Sequence, residues 1–208
     1  MQVQRGQCLA FLVVLTGMLT SFGSATPADA GAAYKWVCVT MEAPFAARDG
    51  AGALVYEDRM WLIGGWNSRD ALNFPLDCVN DVWSSKDGAV WERERANTFG
   101  TPQFEPQQDW EGRHTAGYVV HRGVMWIVGG DPLQGHYQYD VWNSANGRAW
   151  KWVNKDEPVP WGPRVLHYTV AFQDKIWVMG GQTTPQFAPA PEQVYNDIWN
   201  TEDGIHWA

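Results

Sequence analysis

The stretch RHTAGYVVHRGVMWIVGG, Arg113–Gly130, decides the fold of this chain, and DVWNSANGRAW, Asp140–Trp150, completes its pattern. In the first stretch an arginine stands thirteen residues before a tryptophan, which is followed by two apolar residues and a Gly-Gly pair. The same spacing occurs twice more, as Arg48, Trp61, Gly64, Gly65 and as Arg164, Trp177, Gly180, Gly181. The second stretch reads Asp, Val or Ile, Trp, any residue, Ser or Thr, any residue, Asp or Asn, Gly, two residues, Trp. It recurs from Asp81 to Trp91 and from Asp197 to Trp207. Blocks of constant internal spacing, separated by stretches of unequal length, are the mark of a repeated structural unit.

Each repeat carries four short runs of strand character, in the first Gly50–Tyr56, Met60–Ile63, Asp81–Ser84 and Trp91–Arg95. Beyond the N-terminal thirty residues no segment sustains a helical period, so the reading is all-β. Gly-Gly after an apolar run ends a strand and lets chains approach closely. Ser-x-Asp-Gly between two tryptophans is a hairpin signal: Asp87, Asn146 and Asp203 bond their own backbone, and the next glycine supplies positive φ. The paired tryptophans then lie on adjacent strands and bury large areas against neighbouring sheets. First strands rich in small residues, such as Ala51-Gly52-Ala53 and Thr115-Ala116-Gly117, suit a crowded position around an axis.

On these motifs the chain resembles the kelch repeat family of β-propellers, the galactose oxidase/kelch-like group, and its second block is similar to a shortened sialidase-type Asp-box. The resemblance spans residues 34 to 207; the family's Tyr before Gly-Gly is Trp here. It implies a kelch-type β-propeller segment over residues 31–208, with three four-stranded antiparallel blades from repeats at about 48–95, 113–154 and 164–208. Gly31-Ala-Ala-Tyr-Lys-Trp-Val37 matches Gly147-Arg-Ala-Trp-Lys-Trp-Val153, which predicts a strand over 34–40 able to complete the last blade. Three blades do not comfortably close a ring. Two arrangements are therefore expected: missing further blades, with the chain part of a six- or seven-bladed protein, or a homodimer that builds one ring from two half-rings.

The 208 residues are 45% hydrophobic and include 14 tryptophans, ample material for a core. With 23 acidic against 15 basic side chains, net charge −8, the chain lacks the footprint of a nucleic-acid binder. Arg5, the apolar run Cys8–Leu19 and the sequence Ala28-Asp29-Ala30 read as a secretory signal over residues 1–30, which predicts a secreted or periplasmic protein without membrane insertion. Removal of Cys8 leaves Cys38 and Cys78, either bridged or as two free thiols.

Residues that recur in every repeat are explained by architecture, whereas variable loops on one face are where a rigid scaffold places recognition. The connections after the second and fourth strands emerge at one end: Trp66–Asn80, Ala96–Gly112, Asp131–Gln138 and Gln182–Asn196. Arg48, Arg113 and Arg164 at that end are candidate ligand-binding residues for a carboxylate, or else pair with the equally recurrent Asp81, Asp140 and Asp197. Trp66, Trp110, Phe74 and Trp161 are candidate platforms for a sugar ring or a protein partner, and His167 joins the ligand-binding set. The expected function is a noncatalytic binding or interaction module for a glycan or protein. The alternative is a carbohydrate-active enzyme resembling N-acetylneuraminate mutarotases and epimerases, with Glu111 and His114 beside Arg113 as candidate catalytic residues. No metal or cofactor is predicted; the two His, two Tyr and Cys of a galactose-oxidase copper site are not recognisable.

Overall fold

The computed structural model describes residues 34–67, 77–133, 136–183 and 193–208. Residues 1–30, expected to be a secretory signal, and Phe74 lie outside the described residues. The chain divides into two compact units, Met1–Val37 and Cys38–Ala208. Of the first unit, only residues 34–37 are described, and they are irregular.

The second unit is all-β. Its first repeat forms β1 (Gly52–Tyr56), β2 (Arg59–Ile63), β3 (Val82–Ser85) and β4 (Glu92–Arg95), an antiparallel sheet in that order. The second repeat forms β5 (Gly117–His121), β6 (Val124–Leu133), β7 (His136–Ser144) and β8 (Lys151–Trp152), ordered in the same way. In the third, β9 (Tyr168–Phe172), β10 (Lys175–Met179) and β13 (Ile198–Thr201) make a three-stranded sheet. There β11 (Gln182–Thr183) and β12 (Gln193–Val194) pair separately. No helix occurs among the described residues. The first and second strands of each repeat are joined by two residues of positive φ, Glu57-Asp58, Arg122-Gly123 and Gln173-Asp174. That conformation matches the right-handed twist of a tight hairpin.

All nine repeat tryptophans use their indole N–H in one of three fixed ways. Trp61, Trp126 and Trp177 donate to the carbonyl at the end of the preceding strand, on Tyr56, His121 and Phe172. Trp83, Trp142 and Trp199 donate to the carboxylate two residues back, on Asp81, Asp140 and Asp197, each at 2.8 Å. Trp91, Trp150 and Trp207 donate to the carbonyl of the turn glycine, on Gly88, Gly147 and Gly204. A buried indole N–H needs a partner, and these bonds supply one while the rings fill the core. The turn is held by Ser85, Ser144 or Thr201, whose hydroxyl accepts from the glycine N–H at 2.9 Å in every copy.

The core lies between sheets rather than within one. One cluster joins Trp61, Ile63 and Val82 of the first repeat to Met125, Ile127 and Trp142 of the second. The other joins Trp126, Val128 and Val141 to Ile176 and Val178 of the third. β1 lies beside β5 and β5 beside β9. The two junctions use the same positions. A Cβ on Gly147 would stand 2.3 Å from the Trp61 ring, and one on Gly204 would stand 2.6 Å from the Trp126 ring, so each turn glycine is the seat of the preceding repeat's tryptophan. The second glycine of each pair carries the backbone across, Gly65 N–H to Arg113 O at 2.7 Å and Gly130 N–H to Arg164 O at 3.2 Å. Tyr56 Oη donates to the carbonyls of Gly123 and Ala145, while His121 Nε2 donates to that of Glu202.

Two expectations are corrected. Residues 34–40 form no strand. The physical reason lies in the hairpin: β8 is held to β7 by the Ser144-x-Asn146-Gly147 turn, whereas the sequence before Gly31 has Ala28 in the serine position and so lacks the hydroxyl that holds that turn. On the outer edge of β13, among the described residues, only Ala208 makes a rung, exchanging both backbone bonds with Asn200. Asp131–Gln138 is not an irregular connection, because β6 and β7 continue through Gly129-Gly130 to the pair Leu133 and His136. Of the two alternatives left open for Cys38 and Cys78, the structure has the free thiols, the first exposed and the second buried.

Candidate functional site

The recurrent arginines are structural anchors. Arg48 clasps Asp81 with Nη1 and Nη2, at 2.5 and 3.1 Å, and donates to Gly64 O at 2.9 Å. Arg164 repeats this on Asp197, at 2.6 and 3.0 Å, and on Gly180 O at 2.9 Å, with its guanidinium 3.9 Å from the centre of the Tyr195 ring. Arg113, fully buried, is held by Asp140 at 2.5 Å. Each guanidinium faces the carboxylate that also receives the indole of Trp83, Trp142 or Trp199. The Arg164 contact holds the Asp197 carboxyl below the usual range. None of the three is open to a ligand carboxylate, which corrects the ligand-binding reading of Arg48, Arg113 and Arg164.

Trp110 and Trp161 are corrected as well. Trp110 is 0% exposed and packs edge-on against Trp150, while Trp161 packs edge-on against Trp207. In the first repeat Phe45 meets Trp91 in the same geometry. Phe45, Trp110 and Trp161 each stand three residues before the anchoring arginine, so this is a further repeat position. Its signal was available in that constant offset, although the residue type changes. His167 is also removed from the ligand set: it is buried, its Nε2–H donates to Val128 O at 3.1 Å, and burial followed by the charge of Arg164 lowers its pKa to about 4.

What remains lies on rungs whose position recurs while their residues vary. The residue after each arginine pairs with the residue after Gly-Gly, giving Asp49 with Trp66, His114 with Asp131 and Val165 with Gln182. Between them the backbone is left-handed in every repeat, at Gly50, Thr115 and Leu166, with φ of 57°, 53° and 57°. Holding two non-glycine residues there stores strain of the kind found at binding sites.

The first two rungs converge. The half-buried Trp66 ring lies 5.6 Å from that of His114, tilted by 51°. His114 Nε2 is 3.4 Å from Asp49 Oδ1, and its Nδ1 is 3.3 Å from Asp131 Oδ1, which also accepts from Thr115 Oγ1. Burial works to lower the His114 pKa, but Asp131, by hydrogen bond and charge, and then Asp49 outweigh it and raise it. Asp49 is exposed. Nearby, Glu111 is 3.3 Å from His136 and accepts from Gln138. Burial pushes the Glu111 carboxyl up, yet His136, Arg113 and Gln138 together bring it below its ordinary value. The His136 pKa is raised, first by its hydrogen bond to Glu111. The sequence singled out Trp66, Glu111 and His114; it missed Asp49, Asp131, His136 and Gln138, which become neighbours only through the rungs and the β6–β7 extension.

Chemically, the site offers one aromatic face, carboxylates able to accept hydrogen bonds from hydroxyls, and imidazoles whose pKa values neighbouring carboxylates raise. Among the described residues no group of three or more His, Cys, Asp or Glu side chains is arranged to hold a metal ion. No protein-family model and no curated protein matches this chain.

Proposed function

We propose that the chain is an exported kelch-type β-propeller segment acting as a noncatalytic module that binds a glycan at the Trp66–His114 site. The propeller reading is supported by three successive sheets whose first strands neighbour one another and whose junctions repeat residue for residue. Export is supported by the charged and apolar pattern of the first thirty residues.

The observation that carries the glycan reading is the half-buried Trp66 ring beside the exposed carboxylate of Asp49 and the His114 imidazole. A flat apolar face flanked by hydrogen-bond acceptors matches the two faces of a sugar ring, apolar C–H on one side and hydroxyls at the rim. The local carboxylates and the engaged arginines favour a neutral or amino sugar over an acidic one. Binding of the purified protein to a glycan array followed by calorimetry tests this. Neutral glycans should bind, and Trp66→Ala should weaken binding at least tenfold, about 1.4 kcal/mol, with thermal unfolding unchanged. Preference for sialylated glycans, or indifference to Trp66→Ala, defeats it.

The Glu111–His136 pair favours one second reading, a sugar mutarotase or epimerase using these groups as base and acid. Accelerated anomer exchange of N-acetylneuraminate by proton NMR, lost in Glu111→Gln, would establish that reading in place of the first.

A further inference from the structure

The two junctions between successive sheets define a rule, and the third repeat carries one half of a junction with nothing opposite it among the described residues. On β1 and β5 the side chains facing the next repeat are covered, Tyr56 at 7% exposure and His121 at 5%. Their counterpart Phe172 is 59% exposed, alongside exposed Tyr168 and Val170. On the third strand Val82 and Val141 are 0% exposed, whereas their counterpart Ile198 is 61% exposed. Trp61 and Trp126 are buried in the glycine seats of the next turn, and Trp177 is only half-buried. This apolar row is far from the polar surface a terminal sheet needs.

The other half of the junction stands open on the first repeat. A Cβ added to Gly88 meets only Met60 Cε of its own sheet, at 3.1 Å, so no tryptophan occupies that seat. On β1 the side of the strand opposite Gly52 presents exposed Ala53 and Val55. In the existing junctions Gly52 lies under Tyr118 and Gly117 under Thr169, small against large. Tyr168 against Ala53 reverses the sizes and keeps the fit.

We propose that the third repeat of one chain docks head-to-tail on the first repeat of a second copy, with Trp177 of one seated on Gly88 of the other. The occupant is identified by the chain itself, because the missing complement to the Tyr168–Ile198 face has the geometry of the face carrying Gly88. The contact is independent of any glycan.

Sedimentation equilibrium of the purified full chain at micromolar concentration tests it. The expected mass is that of two chains. Ile198→Glu alters only the knob face and Val55→Glu only the seat face; both residues are exposed in the single chain, so circular dichroism should stay unchanged. Each variant alone should associate at least tenfold more weakly. Their equimolar mixture should associate again, since one intact knob then meets one intact seat. A mass of one chain for the unmodified protein, association insensitive to both substitutions, or a mixture that stays dissociated would each overturn the proposal.

Discussion

Asp140 illustrates how much a single carboxylate does in this fold. It faces the fully buried Arg113 at 2.5 Å and receives the Trp142 indole at 2.8 Å. Arg113 Nε and Nη1 have no hydrogen-bond partner among the described residues, so Asp140 is the principal compensation for a charge removed from water. Deleting one partner of such a pair is far costlier than the pair is stabilising, because the survivor stays buried and charged. Asp140→Ala should therefore destabilise the protein by roughly 3–5 kcal/mol, read by urea denaturation. Arg59, paired with exposed Glu92, provides the contrast: Glu92→Ala should cost at most about 1 kcal/mol. Equal losses for Asp140→Ala and Glu92→Ala would contradict the anchoring role. The equal recurrence of arginine and aspartate made this pairing readable, yet it left a ligand role open, since spacing alone does not report burial.

At the scale of the element, the turn glycines separate conformational freedom from packing. Gly123 and Gly147 have nearly the same φ, 73° and 70°, but a Cβ on Gly123 meets nothing within 4 Å, whereas one on Gly147 runs into Trp61 at 2.3 Å. Gly123→Ala should cost only the left-handed penalty, roughly 1–2 kcal/mol. Gly147→Ala should cost that and the displacement of a tryptophan from its seat, an additional 1–3 kcal/mol. Thermal unfolding of the two variants checks this, and identical midpoints would refute the seat. Positive φ was legible from Asn146-Gly147; the seat was not, because Trp61 is 86 positions away and belongs to another sheet. The strands of the first repeat were legible within two residues, since alternation and turn chemistry are local. The strand over 34–40 failed for the opposite reason: its residues match β8, but a strand is also made by the hairpin that delivers it. The aromatic position of Phe45, Trp110 and Trp161 was hidden because its residue type changes while its offset does not.

For the molecule as a whole, the same junctions that build the core couple stability to pH. His167 spans the second and third repeats, with Nε2–H on Val128 O and Nδ1 buried without a hydrogen-bond partner among the described residues. Burial, and then Arg164, lower its pKa to about 4 from an ordinary 6.5. Between these values the unfolded chain takes up a proton that the folded one refuses, so stability must fall as pH falls from 6.5 to 4 and then level for this group. The drop amounts to about 3 kcal/mol. His114 and His136 act in the other direction: both are raised, so their contribution is full below about 6.5 and is lost as pH rises through their folded values. Asp197, lowered chiefly by its Arg164 hydrogen bond, loses its contribution only as pH falls below the unfolded value near 3.8. The acid limb should thus show an early phase owed to His167 and a later one to which Asp197 contributes. His167→Gln keeps an N–H for Val128 O but cannot take the proton, so it should flatten the early phase and leave the later one in place. Denaturation midpoints measured from pH 7 to pH 3 decide the point: an unchanged slope between 6.5 and 4 in His167→Gln would show that the buried imidazole does not couple these two repeats to acid.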